Sequence, residues 1–393
     1  MSATTALPAG ARTQGAVARA LPPWVYRHPE MTRLELERIL KPSWQIACHI
    51  NSIPNPGDYL TLEIGPESVL VLRNRERQVV AFHNVCRHRG TRLLDGQGQC
   101  PSHIVCPYHG WSYRQDGSLA GVSQRESYPN LDRTDLGLRP IAVDITLGFV
   151  FVCLGKTPPS LSHTLGPMLN ELAPYRFEDM VPIGPIYTEE WQADWKVVMD
   201  NYLESYHVPI GHPGLNRMFT PDYEDQAGRP GVARGTSWFR EQASPRWSER
   251  QYQALVTTVT QHLPEPDRRC WRFYSLLPNL GLDVYPDQMD FFQVLPNGSG
   301  KTTIRGGMFG LPDTRREMKI VRFLSDRINR QVNREDKWLC ERVQKGLASS
   351  SYQPGPLSTI ESWMLEFHDL LRARIPEARS ATAPGVFAEP AIV

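Results

Sequence analysis

Two cysteines and two histidines stand in this sequence as matched pairs. Cys86-Arg-His88 is followed, after a gap of seventeen residues, by Cys106-Pro-Tyr-His109. Each pair runs into a glycine, Gly90 and Gly110, between strand-like segments. Short gaps let both side chains of a pair point at one centre, and the glycines relieve the tight turns. Soft thiolates and imidazoles converging from paired loops make a metal site. Two occupants fit: a tetrahedral, purely structural zinc ion, or a two-iron, two-sulfide cluster with cysteines on one iron and histidines on the other. Zinc fingers usually group cysteine with cysteine and histidine with histidine. Here each loop supplies one of each, as the two-iron cluster requires, and that cluster is favoured.

A second constellation lies at Asp200-Asn-Tyr-Leu-Glu-Ser-Tyr-His-Val-Pro-Ile-Gly-His212. His207 closes an expected helix, Pro209 and Gly211 break it, and His212 returns five residues later. Two imidazoles and one carboxylate on one face of Fe(II) leave the opposite positions open for oxygen chemistry. Taken alone, helix-end histidines are more often capping or core groups. The carboxylate is sought on a long C-terminal helix, whose apolar stripe is interrupted between Val332 and Leu339 by Glu335 and Asp336. Helical geometry does not choose between them. Asp283, Asp287 and Asp290 are weaker candidates in a strand-and-turn region.

The elements that must position these residues follow from periodicity and punctuation. A short helix is expected over 30–40, stopped by Pro42. Strands are expected at Tyr59–Ile64, Ser68–Leu72 and Gln78–Phe82, and again within Pro140–Leu154. Gly155–Pro185, rich in proline and polar residues, reads as a connection. A helix is expected over Trp195–His207 with Asp194 as N-cap, then strands between Trp271 and Phe309. A long helix follows from about Asp313 to Leu347, with Val321, Leu324, Ile328, Val332, Leu339, Val343 and Leu347 as its buried stripe.

The paired loops, with Arg-Gly after His88 and Gly-Trp after His109, resemble those of Rieske non-haem iron oxygenases, the aromatic ring-hydroxylating oxygenase family and its catalytic α subunit. Respiratory Rieske proteins typically carry an extra disulfide-forming cysteine in each loop, and neither loop has one here. Asn-x-x-Glu-x-Tyr-His-x-x-x-x-His, from Asn201 to His212, resembles the family's iron motif, and the likeness spans residues 24–375. It implies a Rieske [2Fe–2S] cluster on Cys86, His88, Cys106 and His109, and a mononuclear Fe(II) on His207, His212 and Asp336. An Asp followed five and eight residues later by Glu and Gln, as Asp336, Glu341 and Gln344 are, matches the family pattern and favours Asp336 over Glu335.

The resemblance also places Asn201 and Glu204 in the catalytic machinery. Glu204 would be the carboxylate linking His207 to His109 of a neighbouring subunit in a homotrimer. Many relatives hold aspartate there, and glutamate is similar to the subset acting on quaternary ammonium compounds. The implied fold is α+β: an N-terminal β-rich Rieske domain, then a catalytic domain with an antiparallel sheet flanked by helices. The boundaries expected are 1–23 as a disordered terminus, 24–155 as the Rieske domain, 156–189 as a connection, 190–380 as the catalytic domain, and 381–393 as a tail. No Gly-x-Gly-x-x-Gly fingerprint precedes a helix, so a separate NAD(P)H-dependent reductase, with or without a ferredoxin, must supply electrons. The reaction expected is O2 activation that hydroxylates an aromatic or small organic substrate, with oxidative N- or O-demethylation as the alternative. Trp238, Phe239, Trp271, Phe273, Tyr274, Tyr285, Phe291 and Phe292 could stack on an aromatic ring or cage a methylammonium. A bare electron carrier and a zinc-stabilised binding protein are the rival classes.

Composition agrees. With 393 residues, roughly two or three domains are expected. Lys plus Arg at 43 against Asp plus Glu at 42 argues against a nucleic-acid binder driven by bulk charge. No apolar run approaches the roughly 18 residues of a membrane span. Seven scattered cysteines make no disulfide framework. Residues 1–29 carry Arg12, Arg19 and Arg27 and no acid before Glu30. That faintly resembles a transit peptide, but without an amphipathic pattern a frayed terminus is favoured and cytoplasm is the default.

Overall fold

The computed structural model describes residues 18–155, 160–166, 168–221, 224–226 and 231–385. The chain divides into two compact units, Leu40–Leu161 and the remainder on either side of it.

In the smaller unit, alternating Val/Leu/Ile runs build a seven-stranded antiparallel sheet. Its spatial order is Gln45–His49, Phe149–Cys153, Pro140–Thr146, Val79–His83, Glu67–Arg73, Asp58–Ile64 and Gln97–Gln99. The β pattern expected within 140–154 is a hairpin, turned at Leu147 and Gly148, both with positive φ, and its second strand Phe149–Cys153 is wholly buried. A second sheet of His103–Val105, Ser112–Arg114 and Leu119–Gly121 carries the second Cys/His loop. Leu70, Leu72, Phe82, Ile104, Trp111 and Tyr113 form the core beneath both loops.

The larger unit is built on an eight-stranded antiparallel sheet. Its central strands are Val232–Trp238, Cys270–Leu276, Leu280–Val284, Met289–Pro296 and Thr302–Gly310. Helices Trp195–Tyr202, Trp247–Val259, Arg316–Gly346 and Ser362–Arg374 accompany it. One cluster joins Trp195, Met199, Phe367 and Leu371 to Val294 and Ile304 of the sheet. Another joins Tyr252, Val256, Val321, Leu324 and Ile328 to Trp271. The stripe expected on the long helix is buried at Val321, Leu324, Ile328 and Leu347, but Val343 is exposed. Among the described residues no helix is long and apolar enough to cross a membrane.

Two expected boundaries are corrected. Residues 24–39, read as the start of the Rieske domain, belong to the larger unit, because Val25, Tyr26, Met31, Leu34 and Ile39 bury their side chains in the cluster around Trp195. The segment read as a connection over 156–189 carries helices Leu161–Leu165 and Met168–Leu172, buried Tyr175 and Phe177, and a strand Tyr187–Trp191 paired with Thr302–Gly310. Of the expected termini, 1–17 and 386–393 lie outside the described residues. Residues 18–23 are tied down, with Ala18 O accepting from Leu357 N and Leu21 fully buried.

A buried ion cluster fixes the N-terminal helix Pro29–Glu35 to the helix Trp195–Tyr202. Lys196 Nζ lies 2.5 Å from both Glu35 and Asp194, with all three side chains almost wholly buried. The Trp195 indole N–H donates to Glu35 at 2.7 Å. Lys196→Met strands both carboxylates without a cation, and removing one member of a buried charged set costs about 3–5 kcal/mol. The expected readout is a lower urea midpoint for the larger unit, with the smaller unit's transition unmoved.

Candidate active site

Each Cys/His loop closes in the same way. Cys86 N–H donates to Thr91 O at 2.8 Å and Gly90 N–H to Cys86 O at 3.0 Å, while Cys106 N–H donates to Trp111 O at 2.8 Å and Gly110 N–H to Cys106 O at 3.0 Å. Gly90 and Gly110 have φ of +74° and +71°, the left-handed backbone that glycine adopts without cost. The side chains meet as two pairs: His88 Nδ1 lies 3.2 Å from His109 Nδ1, and the buried free thiols of Cys86 and Cys106 stand beside each other. The cysteines are buried and the histidines half-buried, so the imidazole edge faces outward. Trp111 stacks on His88 at 4.9 Å between ring centroids. The Tyr113 hydroxyl lies 3.2 Å from Cys86 Sγ and accepts from Arg87 N–H at 2.9 Å. Tyr113 carried no sequence signal of this role. Two thiols and two imidazoles from one pair of turns suit a cluster with mixed ligation.

The second constellation assembles around His207, His212 and Asp336, whose ligand atoms all lie within 4.8 Å of one another. His207 Nε2 and His212 Nε2 are 3.1 Å apart, and Asp336 Oδ1 is 2.9 Å from His212 Nε2 and 3.6 Å from His207 Nε2. Asp336 Oδ1 is buried and makes no well-directed hydrogen bond. Burial would raise the Asp336 carboxyl, yet the two imidazoles hold it down to about 2. An ionised buried oxygen facing two imidazole nitrogens is a donor set that fits a divalent cation with open positions.

Each imidazole is aimed by a carboxylate on its other nitrogen. Glu204 Oε1 lies 2.5 Å from His207 Nδ1, and Glu335 Oε2 lies 2.8 Å from His212 Nδ1. Such partners fix tautomer and ring orientation. Glu335 therefore stands beside the triad as an orienting group and Asp336 inside it. Asn201 Nδ2 lies 3.4 Å from His207 Nε2.

The expected helix through His207 is corrected. Asp194 caps it as expected, accepting from Lys196 N–H at 3.1 Å, but the helix ends at Tyr202. Glu204 Oε2 takes the His207 N–H at 3.0 Å, a local side-chain bond that replaces the helical one. His207 then precedes a short second helix, Val208–Gly211. The weaker ligand candidates do not join the triad. Asp287 accepts from the Tyr252 hydroxyl, while Asp283 and Asp290 line the cavity beside it. Of the aromatic residues singled out, Trp271, Phe273, Tyr285, Phe291 and Phe292 line that cavity; Tyr187, Trp191, Tyr202, Phe219 and Trp363 join them. Trp238, Phe239 and Tyr274 are not in its wall.

The family model for the Rieske [2Fe-2S] domain matches residues 43–132, and that for the ring hydroxylating alpha subunit (catalytic domain) matches residues 177–377, just over half of the chain. The glycine betaine monooxygenase oxygenase subunit of Chromohalobacter salexigens is 30% identical over 398 residues, covering 93% of this chain and 88% of that protein. The chain belongs to the Rieske oxygenase family, as a catalytic subunit. The Rieske oxygenase subunit is also 31% identical to the chloroplastic choline monooxygenase of Spinacia oleracea over 367 residues, 87% of this chain and 75% of that one. In fold it is similar to a quaternary ammonium Rieske monooxygenase studied for carnitine oxidation and inter-subunit electron transfer, with a TM-score of 0.78 at 24% identity over 91% of this chain and 96% of that one. As a family member it is an oxidoreductase that uses O2, with a Rieske cluster and a mononuclear iron as its cofactors.

Proposed function

We propose that this Rieske oxygenase subunit is the oxygenase component of a monooxygenase acting on a small quaternary ammonium compound. The makeup of the cavity beside the triad carries this reading. Tyr202, Trp271, Tyr285 and Phe292 present rings to it, and among the described residues no lysine or arginine lines it. Aromatic faces attract a methylated ammonium by cation–π contact, worth about 2 kcal/mol or more where water is excluded. The relatives acting on glycine betaine and choline point the same way. An aromatic substrate could stack on the same rings, and the assay separates the two.

In this reading His207, His212 and Asp336 hold the iron, and Cys86, Cys106, His88 and His109 hold the cluster. When bound, these groups supply reductive activation of O2. The protein's own part is positional. Glu204 and Glu335 turn the two imidazoles toward one centre, Asn201 lies against His207, and the cavity wall keeps water from the substrate. Electrons come from a separate NAD(P)H-dependent reductase.

We further propose a homotrimer in which Glu204 connects neighbouring subunits. Tyr206 and Ile210 beside the Glu204 turn are 63% and 87% exposed, and Val105 and Tyr108 in the second Cys/His loop are 52% and 57% exposed. Large apolar side chains left open at both redox centres suit a contact between copies. Glu204 retains acceptor capacity, since each carboxylate oxygen has two lone pairs and His207 uses one on each.

The test is O2 uptake by iron- and sulfide-replete protein with a surrogate reductase. Choline or glycine betaine should stimulate it. Stimulation by aromatic acids alone would return the reading to ring hydroxylation. A second expectation concerns Tyr113, whose hydroxyl donates to Cys86 Sγ once that sulfur is a thiolate ligand. Tyr113→Phe removes a bond that favours the more negative, reduced cluster. A bond worth about 0.5–1.5 kcal/mol corresponds to a fall in potential of about 20–60 mV for one electron. Spectroelectrochemical titration reads it directly, and an unchanged potential would remove Tyr113 from this role.

A further inference from the structure

Two carboxylates in the cavity wall have no counter-charge. Asp283 and Asp290 face each other as register partners on the adjacent strands Leu280–Val284 and Met289–Pro296, where like charges are destabilising. Their partners are all neutral. Asp283 accepts from the Tyr202 hydroxyl at 2.8 Å and the Tyr285 hydroxyl at 3.3 Å; Asp290 accepts from Gln288 at 3.3 Å and Asn329 at 3.4 Å. The nearby arginines serve elsewhere. Arg234 and Arg272 sit at register positions of opposite parity to the pair formed by Phe273 and Asp283, and they bind Glu171, with Arg272 also on Asp267.

Burial lifts the Asp283 carboxyl to about 7, and burial together with the charges of Asp283, Asp287 and Asp326 lifts Asp290 well above the usual carboxylate range. A bound cation would return both to the ionised form. The same cavity wall holds a second unsatisfied group: Ser237 is 1% exposed, and its hydroxyl has no hydrogen-bond partner among the described residues. Such a hydroxyl calls for a polar group on a ligand. Its strand lies two strands from that of Asp283.

We infer that Asp283 and Asp290 form the subsite for the substrate's ammonium head, and that they select a net cation over a zwitterion carrying the same head. This rests on the quaternary ammonium reading and sharpens it. A carboxylate on the substrate would enter a cavity where Asp283 and Asp290 lack a counter-charge and whose described wall holds no lysine or arginine, whereas Glu189 is paired with Lys337 and Asp336 would lie on the iron. A hydroxyl there meets no such repulsion and has Ser237 available.

Calorimetric titration of the holoenzyme with three probes tests it: choline, the zwitterion glycine betaine, and 3,3-dimethylbutan-1-ol, the neutral carbon isostere of choline. Choline should bind at least tenfold more tightly than either of the others. Asp290→Asn, with metal content checked, should weaken choline at least tenfold and leave the neutral alcohol within about twofold. Asp283→Asn serves as the second variant, and the wild-type ratios stand on their own should either variant fail to fold. Glycine betaine or the alcohol binding as tightly as choline overturns the inference, as does a choline-to-alcohol ratio unchanged in both variants. Choline held through Asp290 yet causing no O2 uptake leaves the subsite standing and sinks the proposed activity. Turnover of ammonium compounds with unchanged ratios does the reverse, and no saturable choline binding rejects both.

Discussion

Asp336→Ala is expected to lose the mononuclear iron and all substrate-dependent O2 uptake while keeping the visible spectrum of the cluster. Among the described residues, Asp336 is the one carboxylate whose oxygen reaches both His207 Nε2 and His212 Nε2. Removing a member of a buried charged set costs about 3–5 kcal/mol. At 1.36 kcal/mol per decade that is about 10²–10⁴-fold in iron occupancy. The neighbouring substitution should behave differently. Glu335 touches the far nitrogen of His212, and loss of such an orienting partner typically lowers metal affinity or activity about 10–100-fold. Glu335→Ala should therefore bind iron weakly and recover turnover with added Fe(II), whereas Asp336→Ala should not. Iron analysis after anaerobic reconstitution decides it. Full iron in Asp336→Ala, or none recoverable in Glu335→Ala, would reverse the two roles.

Glu204→Gln should leave both metal centres largely occupied and most of the proposed trimer intact, yet reduce turnover at least about 100-fold, the upper end for loss of an orienting carboxylate. A charged hydrogen bond contributes only about 1.5–3 kcal/mol, too little by itself to dissolve an oligomer held by apolar contact. The larger effect arises because Glu204 both aims His207 and is the proposed crossing point for electrons between subunits. Reduced protein mixed rapidly with substrate and O2 should show slow cluster oxidation in this variant. Oxidation at the wild-type rate would refute the crossing. Loss of iron from Glu204→Gln would instead mean that the bond to His207 Nδ1 secures the metal itself.

The chemistry of the Cys/His centre was legible because it is written locally. A Cys and a His one or two residues apart, followed by a glycine, close a metal-binding turn whatever surrounds them, and both turns are found with the same hydrogen bonds. The same holds for Asp194 as a cap and for the 3.6-residue stripe on the long helix, whose period reports burial over its N-terminal half. Local spacing leaves open whatever depends on direction across long separations. Glu335 and Asp336 are adjacent, so they differ by about 100° around the helix axis. Only packing of that helix, with Cys340 lying on Val197 O, turns Asp336 into the centre and Glu335 to the back of His212. The facing of Asp283 and Asp290 comes from strand register, where a slip of one residue would send both to the opposite face. Residues 24–39 join the larger unit for a related reason: adjacency along the chain says nothing of which core a side chain enters. The buried ion pair from Lys196 to Glu35 ties that segment to a helix about 160 residues away because only there does the buried carboxylate find a cation.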